Sequence, residues 1–146
     1  MGQQQLLLIV LGVIIVGVAV AVGVNQFRSS AVDANRQAVI TDLVNLAAKA
    51  QRFYRTPTTM AGGGQDFNTF NLAAVDTGNA NGSYSLVSAA APTGAAYVAG
   101  SVTAIGSAAQ TIYIIGCGKE TGSDETNPVK VYATITEDDI TTTVLN

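Results

Sequence analysis

The chain has 146 residues, of which 48% are hydrophobic and only 12% are charged, and its net charge is -3. It contains no histidine and one cysteine, which excludes the commonest general base, an internal disulfide and a cysteine-cluster zinc site. With seven lysines and arginines against ten acidic residues, it also lacks the basic surface typical of nucleic-acid binding. The composition argues against a soluble enzyme, and we expect no catalytic residue and no cofactor.

The N-terminal segment is uncharged and strongly apolar. No charged residue occurs before Arg28, and residues 6–24 form an uninterrupted apolar run. As a helix, this run spans about 28 Å, close to the roughly 30 Å thickness of the hydrocarbon layer of a bilayer. A helix satisfies its own backbone hydrogen bonds in lipid. Residues 1–27 are therefore predicted to form a helix that can lie in a membrane.

Three interpretations of this segment are open. A secretory signal peptide requires a basic region before its apolar core, and none is present. A single-pass anchor normally carries flanking charges that set its orientation. In the third interpretation, Met1 is the processed end of a longer precursor whose basic leader has been removed, which accounts for the missing charge.

The next segment continues the same helix with a different pattern. Residues 25–54 contain neither proline nor glycine, so we expect one helix from about residue 2 to residue 54, ending before Pro57. Apolar residues recur here with helical spacing, which predicts an amphipathic half at residues 28–55 packed against a partner domain. The residues of this stripe are Val32, Val39, Leu43, Leu46, Ala50 and Phe53.

Residues 56–146 have the turn and strand patterns of an antiparallel sheet. The clearest strand is residues 129–136, where apolar and polar residues alternate. We expect four or five strands packed on the stripe of the helix, an α+β fold in which a long N-terminal helix projects beyond a C-terminal β-sheet head. The predicted strands are Ser83–Ser88, Tyr97–Thr103, Thr111–Ile115, Val129–Thr136 and Ile140–Leu145.

Charge is unevenly divided between the helix and the head. Residues 28–55 carry five basic and two acidic side chains, whereas residues 56–146 carry two basic and eight acidic side chains. One interpretation is that both regions simply present solvated faces. The other is that the basic helix surface of one copy meets the acidic head of a neighbouring copy, which would set register and orientation.

The whole arrangement resembles a mature type IV pilin, with a short polar lead, a spanning apolar helix, its amphipathic continuation and a β-rich head. In that family a prepilin peptidase removes a short basic leader, and the first mature residue, often Phe or Met, is N-methylated. The resemblance implies N-terminal methylation of Met1. The fifth residue departs from the family pattern, because a Glu that pairs with the terminal amine of a neighbouring subunit is usual there. Gln5 can still accept a hydrogen bond from an amine, but without the charge-assisted strength.

The glycines of the apolar run also correspond to the family pattern. Gly12, Gly17 and Gly23 stand where many family members have glycine or proline that lets the helix loosen in the assembled fibre. We therefore expect any loosened stretch in a fibre to lie between Gly12 and Gly23. The residues that we assign to subunit assembly are Gln5, Leu6, Leu7, Leu8, Gly12, Gly17 and Gly23.

The function implied by the resemblance is that of a structural subunit that polymerises through its N-terminal helix into an extracellular, type IV pilus-like filament. The implied partners are identical subunits, the cytoplasmic membrane before assembly, the prepilin peptidase and an ATP-driven assembly machinery, with no small-molecule substrate. The sequence does not distinguish adhesion, motility and DNA uptake. The alternatives are a pseudopilin of type II secretion and a single-pass, membrane-anchored binding domain of the cell envelope.

Three weaker patterns occur in the head. Asn81, followed by glycine and serine, matches the N-glycosylation acceptor pattern. The loop at residues 120–128 is rich in oxygen ligands suited to calcium but lacks EF-hand spacing, so a solvated acidic loop is the default expectation. Cys117 follows an apolar stretch, which favours a buried thiol over a bridge between subunits.

Overall fold

A computed structural model of the chain describes residues 2–87, 91–93, 105 and 110–146. In the described part, the helix α1 and four strands form an α+β fold, with α1 packed on one face of an antiparallel sheet of order β1-β2-β3-β4. This confirms the predicted fold class. The elements are α1 (Gly2–Arg55), two short 3₁₀ helices (Thr58–Met60 and Ala74–Asp76), β1 (Gly82–Val87), β2 (Ile112–Thr121), β3 (Pro128–Ile135) and β4 (Ile140–Val144).

The helix α1 is continuous over 54 residues, or about 80 Å at 1.5 Å per residue. It ends where the Thr56 N–H donates to the carbonyl oxygens of Arg52 and Phe53. Pro57 then adopts an extended conformation, with φ of -59° and ψ of 150°. The predicted extent and the predicted stop are both confirmed.

The hydrophobic core lies between the amphipathic half of α1 and the sheet face towards it. Four residues of the predicted stripe are buried, and the two at its ends, Val32 and Phe53, are partly buried. Ala47 and Tyr54 are buried as well, so the stripe is wider than predicted. The strands contribute Tyr84, Leu86, Ile112, Ile114, Val129, Val131, Ala133 and Ile135.

The strand β2 is six residues longer at its C-terminal end than the sequence predicts. The prediction ended at Ile115, but β2 continues through Gly116 and Gly118 to Thr121. Both glycines lie where α1 comes close to the sheet. A Cβ added to Gly116 would lie 2.7 Å from Val39 Cγ1, so glycine here permits the close approach of helix and strand.

The strands β1, β3 and β4 begin and end within two residues of the predicted positions, where those positions are among the described residues. The predicted strand at residues 97–103 lies outside the described residues. Cys117 is half-buried, so the expectation of a buried thiol was wrong. Because Gly116 and Gly118 approach α1, the alternation of the strand directs Cys117 to the opposite face of the sheet.

Candidate assembly surface

The apolar run at residues 6–24 remains uncovered. Fourteen leucine, isoleucine and valine side chains in this run are each at least 50% exposed. The most apolar 18-residue window of α1 has a mean hydropathy of 3.2, and none of it is buried. By length and composition, this helix could cross a membrane. An exposed apolar surface of this extent marks a site of contact with lipid or with other protein.

The first turns of the run carry the proposed contact residues Gln5, Leu6, Leu7 and Leu8, all of which are exposed. Successive positions of a helix are about 100° apart, so the three leucines cover different sides of α1. No acidic residue lies in the first turn, which leaves the positive end of the helix dipole without a carboxylate from the same chain. Met1 lies outside the described residues, and its methylation stays a prediction.

The three glycines of the run face open space. A Cβ added to Gly12, Gly17 or Gly23 would meet no atom within 4 Å, so packing within the subunit does not require glycine there. At about 100° per residue, Gly12 and Gly23 lie roughly 20° apart around the helix axis, and Gly17 lies roughly 140° from Gly12. Glycine allows neighbouring helices to approach closely. Small residues on two sides of α1 suit contacts with more than one neighbouring helix.

The helix is continuous through Gly12, Gly17 and Gly23 in the single subunit. The loosened stretch was expected for an assembled fibre, and it stays a prediction for that state. Lipid or neighbouring helices would compensate for the low helix propensity of glycine and of the β-branched residues of the run.

The basic residues of the amphipathic half are largely neutralised within the chain itself. Four of the five have a carboxylate partner, three of them in the head. The ion pairs are Arg28–Glu125 at 3.6 Å, Arg36–Asp33 at 2.7 Å, Lys49–Asp76 at 2.6 Å and Arg55–Asp138 at 3.8 Å. The charge asymmetry of the sequence therefore serves first to join the helix to its own head, and only Arg52 is outside these pairs.

A polar cluster on the flank of α1 was not identified from the sequence. Asp42 Oδ2 accepts hydrogen bonds from Asn79 Nδ2 at 2.8 Å, Asn81 Nδ2 at 2.8 Å and the Tyr84 hydroxyl at 2.7 Å. Burial opposes ionisation of Asp42, but the hydrogen bonds from Asn81, Tyr84 and Asn79 outweigh it and lower the pKa of this carboxyl. Burial and the bond to Asp42 raise the pKa of Tyr84. The cluster fixes the start of β1 to the helix.

The Asn81 amide of the glycosylation pattern belongs to this cluster. The side-chain amide donates to Asp42, and the backbone carbonyl oxygen of Asn81 accepts a hydrogen bond of 3.0 Å from Asn35 Nδ2. Both interactions hold Asn81 against the helix. Glycosylation of Asn81 stays a prediction, and a sugar at this nitrogen would have to fit beside Asp42.

The acidic loop between β2 and β3 is organised by its own hydrogen bonds. Asp124 Oδ1 accepts from the Asn127 N–H at 3.0 Å, and Asp124 Oδ2 accepts from Asn127 Nδ2 at 2.6 Å. The Asn127 side chain and backbone bonds lower the pKa of Asp124 to about 2. Among the described residues, no group of three or more His, Cys, Asp or Glu side chains is placed to hold a metal ion. The oxygen ligands of Asp124 are thus already used within the loop.

Comparison with known proteins does not assign the chain to a family. No protein-family model matches it, and neither a curated protein nor a solved structure matches it. The candidate function therefore depends on the contrast between the uncovered apolar run and the packed head.

Proposed function

We propose that the chain is the structural subunit of a helical filament whose core is formed by the apolar run of α1. The observation that supports this proposal is that all fourteen of its large apolar side chains are at least half exposed. A helix that is apolar on every side is stable only when it is surrounded. A single partner helix covers one side, so several neighbouring helices or lipid are needed.

Packing of identical subunits through this run favours an open polymer. The apolar run projects from the head and is uncovered, so neighbouring helices can pack side by side while each subunit is displaced along the helix axis. A repeated displacement of this kind is a head-to-tail contact that does not close. The product is a helical filament with apolar helices inside and heads outside, which places the loops of the head at the cell surface.

A membrane pool before assembly follows from the same dimensions. The apolar run has about the length of the hydrocarbon layer, and lipid would cover it as well as other helices do. Moving it from lipid to a helix bundle exchanges one apolar environment for another, so hydrophobic burial alone does not drive extraction. We therefore place the subunit first in the cytoplasmic membrane and assign its extraction to an ATP-driven machinery. A prepilin peptidase is the processing enzyme that this proposal requires.

The decisive experiment compares Gly17→Leu with Ala34→Leu in producing cells. A side chain at position 17 meets no atom of the subunit within 4 Å, and Ala34 is exposed on the amphipathic half. Electron microscopy of sheared material should show filaments for the unaltered chain and for Ala34→Leu, and none for Gly17→Leu. The amount of chain in the membrane fraction should be the same for all three.

Mass spectrometry of the filament subunit tests the N-terminus at the same time. A chain that begins at Met1 and carries one additional methyl group supports the processed end. If the unaltered chain gives no filaments and stays in the membrane fraction, it is a single-pass anchor with an envelope domain. Short filaments confined to the envelope would instead support a pseudopilin.

A further inference from the structure

A polar groove of about 410 Å³ lies where the apolar run ends and the head begins. One wall is a polar side of α1, and the other is the turn between β2 and β3. We call it the neck groove. Its charged and hydroxyl groups are those of Arg28, Ser29, Asp33 and Arg36 on the helix and Ser123 and Glu125 on the turn.

The neck groove has the depth of the lipid headgroups when the apolar run spans a bilayer. Arg28 is four residues beyond Val24, which is about 6 Å along the helix. The polar layer on one side of a bilayer is roughly 5 to 8 Å thick. Asp33 is about 14 Å beyond Val24, outside that layer, so Arg28 and Ser29 are the charged and hydroxyl residues on the helix wall of the groove that lie at headgroup depth.

The charges of the groove are balanced, and some of them are available to a ligand. Two arginines face two carboxylates, so the net charge is zero. Arg36 is held by Asp33 at 2.7 Å and by the carbonyl oxygen of Asn146 at 3.1 Å. The ion pair between Arg28 and Glu125 is longer, at 3.6 Å, and these side chains are 51% and 76% exposed. Because the Arg28–Glu125 pair is exposed to solvent, its two side chains can exchange each other for the charged groups of a ligand at small cost.

We infer that the neck groove binds the headgroup of a zwitterionic phospholipid, of the phosphatidylethanolamine type, while the subunit resides in the membrane. The phosphate, which is closer to the acyl chains, accepts hydrogen bonds from Arg28 and from the hydroxyls of Ser29 and Ser123. The ammonium group is bound by Glu125, which lies opposite Arg28 in the groove. A groove without net charge gives no advantage to an anionic lipid. The inference rests on the membrane residence in the proposed function.

The test is native mass spectrometry of the full chain in non-ionic detergent with equal amounts of phosphatidylethanolamine and phosphatidylglycerol of identical acyl chains. We expect phosphatidylethanolamine to be retained in excess. Glu125→Gln should reduce that excess by up to about fivefold, as expected for the loss of one exposed ionic contact to the ammonium group. Arg28→Gln should reduce the retention of both lipids to a similar degree, because both carry the phosphate. The matched control is the distal pair Arg55–Asp138, at 3.8 Å and similarly exposed, where Arg55→Gln should have no effect.

Equal retention of the two lipids, a preference for phosphatidylglycerol, an excess that is unchanged in Glu125→Gln, or a total retention that is unchanged in Arg28→Gln would overturn the inference. Water-soluble phosphorylethanolamine is the second arm. It should not displace the lipid at equal concentration, and displacement would show a site for a free phosphoester. Failure of this test is separate from failure of the filament proposal, because filaments are scored independently by electron microscopy.

Discussion

The two halves of α1 contain similar apolar residues in one continuous helix, but they are used in opposite ways. In the amphipathic half, Val39, Leu43, Ala47 and Ala50 are completely buried against the sheet. In the apolar run, the large side chains are all at least half exposed. The difference lies in periodicity. One apolar stripe can be covered by one sheet, whereas the run that is apolar on every side is left uncovered by the described part of the chain.

The two halves also depend on different sources of stability. Burial of a large apolar side chain contributes about 1.5–3 kcal/mol, and the amphipathic half obtains this within the subunit. The apolar run is rich in β-branched residues and contains three glycines, which lowers its helix propensity in water. Its helix is thus conditional on lipid or on other subunits. One half of α1 is therefore stabilised by its own head, and the other half needs lipid or neighbouring subunits to cover it.

The largest expected effect is that of a charge in the middle of the apolar run. Ile15→Asp places a carboxylate at the centre of the spanning segment, at a cost of about 2.5–3.5 kcal/mol in a membrane. We expect no filaments by electron microscopy and less chain in the membrane fraction. Ala48→Asp, at an exposed position of the amphipathic half, should alter neither. Filaments of normal number from Ile15→Asp would show that the run is not the filament core.

The second largest effect is expected for a substitution in the amphipathic half, which should destabilise the head. Leu43→Ala removes a completely buried side chain and should lower the free energy of unfolding of the head by about 2–5 kcal/mol. Val44, its neighbour in sequence, is 43% exposed, so Val44→Ala should cost clearly less. Guanidinium unfolding of the detergent-solubilised chain, followed by near-UV circular dichroism of the tyrosines, measures both. Equal losses would contradict the assignment of the core face.

The helix and its two patterns could be predicted from the sequence because their causes are local. The absence of proline and glycine from residues 25–54 fixes the continuity of α1, and the spacing of Leu43, Leu46 and Ala50 identifies its buried face. Alternation likewise identifies β3. The exposure of the apolar run could also be expected, because a helix that is apolar on every side has no single face to pack on a sheet.

The features that could not be predicted depend on contacts between distant parts of the chain. Glycine weakens a strand, and the reason for glycine at position 116 is its close approach to Val39 of α1, which the sequence does not reveal. The partners of Asp42 are 37 to 42 residues away from it in the sequence. The only local signal of that cluster was an acidic residue on the flank of an apolar stripe. Polar contacts between residues so far apart in the sequence can be identified only from the tertiary structure.

A smaller effect than that of Leu43 is expected at Asp42. Asp42→Asn replaces the charged acceptor of three hydrogen bonds, and we expect a loss of about 1–3 kcal/mol in the free energy of unfolding. The pKa of Asp42 is lowered in the folded state, so the folded chain binds the proton more weakly than the unfolded chain. Its stabilising contribution is complete above the ordinary value of 3.8 and is lost as the pH falls through the folded-state pKa.

The measurement is guanidinium unfolding between neutral pH and about pH 2, where the loss on acidification should be smaller in Asp42→Asn than in the unaltered chain. Tyr84→Phe keeps the ring in the core but removes one donor to Asp42. It should move the acid loss to higher pH, since the carboxylate is then less well stabilised. Identical acid profiles for all three chains would exclude Asp42 as a contributor.

The smallest effect is expected at the glycosylation pattern. Ser83→Ala removes the pattern at an exposed position and leaves the bond between Asn81 and Asp42 in place. Because the Asn81 nitrogen already lies against the helix, we expect the intact mass to change only by the serine-to-alanine difference. Loss of a sugar mass would show that Asn81 is modified before β1 docks on α1. The flank of the amphipathic half would then be open during folding, and the contrast with the apolar run would hold only for the finished subunit.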